Sequence, residues 1–389
     1  MFEVLELPPA DPILSLGGLI QADNRPEKLN LGIGVYVDES GASPVMSAVR
    51  EAERRVLESQ VSKAYLSPQG NLSFLDRLGT LVFTPALWSS RISAMQTVGC
   101  VAALRMGAEV LSLAGVRRMW VSNPTWPIHA PIFAAAGLET LEYPYYEVGA
   151  AGVDWARMLE SLGSVEPGDA VLLHGCCHNP TGADFTPEQW NELAEFVTRK
   201  QAIAFVDIAY AGLGRGWDED LRGVRSLVER VEEAVVAVSC SKSFGVYRER
   251  AGALFFVGRD ADQAAVVVAN GLSIARTSYS MPPDHGAATV AEILGDPALT
   301  AQWRDELEAM RVRMSTLRIE LADEAARAGL DWEYLRSQQG MFSLLPLSPS
   351  EVVRLRTERA IYMPVNARIC IPGLSPEGIR HLTRSCAEL

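Results

Sequence analysis

The sequence of 389 residues lacks any apolar run approaching the roughly 18 residues that a membrane-spanning helix needs. Its start, MFEVLELPPADPIL, has no basic stretch leading into an apolar one, so no secretory leader is expected. Basic residues are outnumbered: 35 Lys and Arg stand against 48 Asp and Glu, a net charge of -13, which argues against nucleic acid as a partner. Cysteine is scarce, with six in the whole chain, far below the density of a disulfide scaffold. Reduced thiols in the cytoplasm are the expectation, with neither membrane nor nucleic acid as partner. Repeats, low-complexity tracts and long charge blocks are also missing. What remains is a globular chain longer than the roughly 250–300 residues at which single cores stop growing, hence two domains.

From about residue 95, short β-branched runs alternate with helical periods. RRMWVS (117–122), LETLEYP (138–144), AVLLHG (170–175), AIAFVD (202–207), AVVAVS (234–239) and GALFFV (252–257) are predicted strands. PIHAPIFAAAG (127–137) and TPEQWNELAEFVTRK (186–200) are predicted helices. The second has Thr186 as N-cap, Pro187 at its first position and Gln189 closing a capping box. This alternation predicts an α/β fold with a mostly parallel central sheet covered by helices on both faces. Later come a long helix (about 300–328), MFSLLPL, a short helix from the Ser348/Glu351 capping box, ARICIP and a final helix. They predict a smaller α+β domain, joined by the N-terminal segment that contains NLGIGVYVDESG. The expected division is an arm at 1–12, a large domain at 46–309, and a small domain made of 13–45 and 310–389.

In such sheets ligands bind beyond the carboxyl ends of the strands. The polar residues expected there are Trp126, His174 to Asn179, Asp207, Tyr210, Ser239, Ser241 and Lys242. Lys242 directly follows a buried strand, where its charge is disfavoured and its amine becomes a potential imine-forming nucleophile. Ser239 and Ser241 offer hydroxyls and Arg250 a planar fork, all suited to a phosphate dianion. Asp207 ends an apolar run and needs a cationic partner; a protonated pyridine nitrogen is one, and it makes a pyridoxal ring an electron sink. Tyr210 and Asn179 have hydrogen bonds to offer a phenolate oxygen, and Trp126 a face for a flat ring. The bland alternatives are a surface loop, a helix-capping Asp and ordinary packing. LLHGCCHNPTG (172–182) raises the separate question of zinc. Adjacent cysteines do not readily aim at one ion, and no second Cys/His cluster exists, so no metal is expected.

Taken in order, NLGIGVY, AYLSPQG, VSNPTWPIH, HGCCHNPTG, SKSFGVYRERAG, PPDHGA, GMFS and ARICIPGL, with ADPIL near the start, run nearly end to end. In these the sequence resembles the class I, fold-type I pyridoxal-phosphate aminotransferases of the aspartate/aromatic branch. The resemblance implies pyridoxal 5'-phosphate as cofactor, a large domain that binds it, Lys242 as imine lysine and general base, and Asp207 against the ring nitrogen. It implies Asn179 and Tyr210 at the ring oxygen, Trp126 stacked on the ring, and Ser239, Ser241 and Arg250 at the phosphate. Tyr65 is expected to reach the phosphate of a neighbouring subunit, making a homodimer with shared active sites. His174 and His129 are expected behind the ring in the network around the aspartate, with Cys176 and Cys177 as packing residues. Arg368, beside the Gly34 backbone, is expected to hold the substrate α-carboxylate, and Arg276 to reach from the partner subunit to a side-chain carboxylate. The implied substrates are an amino acid (aspartate, an aromatic one or a modified relative) and a 2-oxo acid such as 2-oxoglutarate.

Three positions depart from the family pattern. TVGCVAAL places Val101 where a threonine hydroxyl is usual, leaving the backbone N–H groups of Cys100 and Val101 for the phosphate. Ile128 and Met281 stand where polar residues are usual and make the substrate surroundings more apolar. Weaker cofactor retention is expected from Val101, while Ile128 and Met281 either admit an aromatic or modified side chain or merely adjust packing. The alternative readings are another carbanion reaction on the same cofactor (β-decarboxylation, elimination or racemisation) and a non-catalytic dimeric binding module.

Overall fold

A computed structural model describes residues 2–7 and 14–389. The arm expected at 1–12 is thus described only at 2–7, and most of ADPIL lies outside the described residues. Seven strands form the main sheet: β1 Ile92–Val98, β2 Arg118–Asn123, β3 Glu139–Pro144, β4 Ala170–His174, β5 Ile203–Ile208, β6 Ala234–Ser239 and β7 Ala251–Val257. Their spatial order is β1-β7-β6-β5-β4-β2-β3. Only β7 runs against its neighbours. The connection across 240–250 contains no helix and is too short for the crossover that a parallel neighbour requires, so β6 and β7 pair antiparallel.

Every residue of β4, β6 and β7 is buried, as expected for strands covered on both faces. Alternation decides which core each side chain enters. Val171 and Leu173 belong to one apolar cluster, while Ala170 and Leu172 belong to the other, across the sheet. Sequence reading missed β1, and its composition explains why. Gln96 and Thr97 are fully buried, and Gln96 spends its amide on the Asn71 N–H at 2.8 Å and the Pro283 carbonyl at 2.7 Å. These buried polar residues blur the apolar signal.

The helices follow their local signals. α1, Gly99–Leu113, leaves β1 directly. α2, Pro187–Lys200, carries the Thr186/Gln189 capping box, while α3 is Trp217–Arg230 and α4 is Pro297–Arg327. α4 is continuous, so the expected domain boundary at 309/310 falls inside one unbroken helix. Beyond it, β8 Phe342–Leu344 pairs antiparallel with β9 Arg368–Cys370. α5, Pro349–Arg359, starts from the Ser348/Glu351 capping box, and α6 is Pro376–Ala387. Leu29–Asn30 pairs with Ile361–Tyr362, so the N-terminal segment does join the C-terminal elements. Among the described residues no helix is long and apolar enough to cross a membrane.

Candidate active site

Register brings the predicted residues together. His174 lies opposite Asp207 across β4 and β5, and Asp207 lies opposite Ala237 across β5 and β6. The segments that follow β2, β4, β5 and β6 therefore emerge side by side. They enclose a cavity of about 170 Å3. Its walls include Trp126, His174, Asn179, Asp207, Tyr210, Ser239, Ser241, Lys242 and Arg250, with Cys100 and Val101 from the start of α1. Larger grooves of about 630 and 1020 Å3 lie around loop 37–47 and Arg313, and neither touches these residues.

Asp207 is 7% exposed, and each carboxylate oxygen has a partner. Cys100 Sγ lies 3.1 Å from Oδ1, and His129 Nε2 lies 3.1 Å from Oδ2. Burial works against the charge, yet the hydrogen bond and field of His129, with Cys100, hold the carboxyl below its ordinary value. An ionised Asp207 only accepts, so His129 carries a proton on Nε2, while its Nδ1 shares a hydrogen bond with Thr125 Oγ1, 2.8 Å away. Thr125 Oγ1 also hydrogen-bonds His174 Nε2 at 3.0 Å. Burial pushes His174 down to about 3, so it is neutral.

Lys242 is half-buried, and its partial removal from water lowers its pKa. Its Nζ stands 4.9 Å from the centre of the Tyr210 ring. Burial raises the Tyr210 hydroxyl, which accepts from Asn179 Nδ2 at 3.5 Å. At the other end of the cavity Arg250 Nη1 donates to Ser241 Oγ at 3.4 Å and to the Tyr247 carbonyl at 3.2 Å. Among the described residues no carboxylate pairs with Arg250. Gly99, at φ 69°, lets the α1 N-terminus come close, since a Cβ there would sit 2.3 Å from the guanidinium. A guanidinium, two serine hydroxyls and a helix N-terminus with no acid among them form an anion cradle.

Other expected residues do not line this cavity themselves. Arg368, 3% exposed, donates to the Gly32 carbonyl at 2.9 Å and to Asn179 Oδ1 at 3.3 Å, its guanidinium 4.2 Å from the Phe342 ring centre. A Cβ on Gly34 would lie 3.7 Å from that same ring. Tyr65 (93% exposed) and Arg276, also exposed, are not among the residues that line their own chain's cavity. Ile128 packs against the same apolar cluster as Trp126, and Met281 is half-buried.

Two contributions escaped the sequence reading, namely Thr125 and the Cys100 thiol. Thr125 precedes the helix His129–Ala135, and the turn between them brings its hydroxyl to the His129 ring, a contact that helical spacing does not announce. A correction concerns the paired cysteines. With Cys177 at φ 52°, the two thiols and the Asp220 carboxylate do converge, their polar atoms all within 4.8 Å of one another. Asp220 already accepts the N–H groups of Gly212, Gly214 and Arg215, at 2.7–2.9 Å, and so ties down the loop after β5. His178 is buried between Ser122 Oγ and Thr181 Oγ1, each at 3.0 Å.

Residues 26–385 match the family Aminotransferase class I and II, and the chain belongs to it. It is 49% identical to a tyrosine aminotransferase of Rhizobium meliloti over 374 residues, 96% of each chain. It is 41% identical to an aspartate aminotransferase of Haemophilus influenzae over 396 residues, 100% of each. A crystal structure of an aromatic-amino-acid aminotransferase from Burkholderia pseudomallei, covalently bound to pyridoxal phosphate, superposes with a TM-score of 0.96. That pair shares 38% identity and covers 100% of this chain and 99% of the other. The protein is thus an aminotransferase of the fold-type I class, and it moves an amino group from an amino acid to a 2-oxo acid. Neither alternative reading is favoured, since these relatives are all aminotransferases.

Proposed function

We propose that this aminotransferase holds pyridoxal 5'-phosphate in the 170 Å3 cavity and acts on aspartate or an aromatic amino acid, with 2-oxoglutarate as acceptor. The observation that carries the reading is that a half-buried lysine and a buried, ionised aspartate line one cavity that also contains an anion cradle. When bound, the cofactor supplies an aldehyde carbon that takes up amines and a ring that withdraws electrons. Arg250, Ser239, Ser241 and the N–H groups of Cys100 and Val101 are the residues for its phosphate. Asp207 is the partner for its ring nitrogen, Asn179 and Tyr210 for its ring oxygen, and Trp126 for its face.

Desolvation favours the neutral amine of Lys242, which can accept the proton from the substrate Cα and return it elsewhere. His129, Thr125 and His174 keep Asp207 charged and oriented. Arg368, with the Gly34 backbone beside it, holds the α-carboxylate. Tyr65 and Arg276 belong to the neighbouring site of a homodimer, a role that their exposure on the single chain supports. The half-buried Ile128 and Met281 favour an apolar substrate side chain. The division into a large cofactor-binding domain at 46–309 and a small domain of 13–45 and 310–389 follows the sheet and the C-terminal pairing, with α4 spanning both. Free thiols at Cys100, Cys176, Cys177, Cys240, Cys370 and Cys386 fit the reducing cytoplasm.

A half-reaction screen tests the proposal. The purified protein with added pyridoxal phosphate is expected to show a visible absorbance band. Aspartate or an aromatic amino acid should deplete that band, and 2-oxoglutarate should restore it. A protein that stays colourless overturns the reading.

A further inference from the structure

We propose that the Cys100 side chain is a positioning residue for the reaction: its S–H donates to Asp207 Oδ1 and fixes the carboxylate that the ring nitrogen requires. The inference rests on the cofactor reading above and deepens it. Cys100 is the second residue of α1 and lies at the cavity wall. Its sulfur is 3.1 Å from Asp207 Oδ1, while His129 occupies the other oxygen at the same distance. One donor on each oxygen removes the freedom of the carboxylate to turn about its Cβ–Cγ bond. The group is thus oriented before any ligand arrives, which is where preorganised electrostatics gain their effect.

The thiol also stays a thiol. Burial raises its pKa, and the adjacent Asp207 charge raises it further. A protonated sulfur donates to the carboxylate, whereas a thiolate would repel it. The other five cysteines are buried, and none lines this cavity. Among the described residues, only Cys177 and Cys370 of these offer a sulfur to an oxygen, in each case a backbone carbonyl at 3.7–3.8 Å. The Cys100 contact is therefore distinct in both length and acceptor charge.

Infrared spectroscopy of the purified enzyme reads this bond directly. The difference spectrum between the native protein and Cys100→Ala isolates one S–H stretching band. It is expected at lower frequency and higher intensity than the bands of the remaining cysteines, and Asp207→Asn should move it upward. This measurement does not depend on which cofactor or substrate the enzyme uses, so it separates failure of the inference from failure of the cofactor reading. In the kinetic arm, Cys100→Ala is expected to lower kcat by about five- to tenfold, the loss of one donor to a charged group, with KM within about twofold. Cys100→Ser keeps a donor and should recover most of kcat, whereas a purely packing role would leave alanine and serine alike. An S–H band at the frequency of the other thiols, or a serine variant no better than alanine, overturns the proposal. Should the alanine variant not fold, the shift of the native band on Asp207→Asn decides the matter alone.

Discussion

Arg368 and Arg276 are both guanidinium groups assigned to substrate carboxylates, and their surroundings differ completely. Arg368 is 3% exposed, tied to the Gly32 carbonyl at 2.9 Å and to Asn179 at 3.3 Å, and flanked by the Phe342 ring. Its fork is oriented by its own chain before any substrate is present. Arg276 sits exposed near the end of the helix Ala261–Ser278 and hydrogen-bonds Ser280 of the same chain. In the proposed reading, one chain by itself builds the α-carboxylate end of the substrate site and leaves the side-chain end to its neighbour. Geometry that a single chain fixes is common to all substrates of an aminotransferase. The part that the proposal leaves to a second subunit is the part that distinguishes them.

The largest expected effect erases this contrast. Lys242→Ala removes the proton carrier that both arginines serve, so transamination of every donor should fall by more than about a thousandfold, together with the visible absorbance. Turnover that survived would remove the premise of the comparison. Arg368→Ala comes next. Two charge-assisted bonds are lost, and kcat/KM for all donors alike should fall by about a hundredfold or more. Arg276→Ala should be selective, costing about tenfold or more for aspartate and much less for an aromatic donor. A uniform loss in the Arg276 variant would mean that the two arginines do the same work after all. Sedimentation of that variant, run alongside, separates a lost contact from a lost dimer.

The same contrast governs how much was legible in the sequence. The strand-end residues could be read because each follows an apolar run, and the parallel sheet aligns those ends: Asp207 after AIAFV, Lys242 shortly after AVVAVS, Asn179 shortly after AVLLH. Capping boxes at Thr186 and Ser348 located two helices for the same kind of reason, since the signal and the structure are a few residues apart. Three features were not legible. β1 hid behind the buried Gln96 and Thr97. The reversed direction of β7 depended on a connection too short to cross over. The Cys100–Asp207 contact joins residues 107 apart in sequence, and nothing local to either one announces it. Cys176 and Cys177 are the converse case. The sequence reading kept them from meeting one ion, and a left-handed backbone at Cys177 brings them together with Asp220.

The smallest effect lies at the opposite corner of the cavity. Val101 is the third residue of α1, where a backbone N–H has no partner within the helix and points at the anion cradle. Its side chain is 41% exposed on the single chain and lines the cavity. Threonine has nearly the same shape as valine, so Val101→Thr replaces a methyl with a hydroxyl at no cost in packing. A hydrogen bond to a charged group contributes about 1.5–3 kcal/mol, and exposure places this one at the low end, so the cofactor dissociation constant should fall by about tenfold. The substrate contrast makes this prediction sharper. A tighter phosphate grip acts on the end of the cavity away from both arginines, so the ratio of kcat/KM for aspartate to that for an aromatic donor should stay constant. Equilibrium titration of the cofactor-free enzyme with pyridoxal phosphate, followed by kinetics on both donors, tests both halves. An unchanged dissociation constant would show that the N–H groups of α1 already saturate the phosphate, and a changed ratio would show that the two ends of the cavity are coupled.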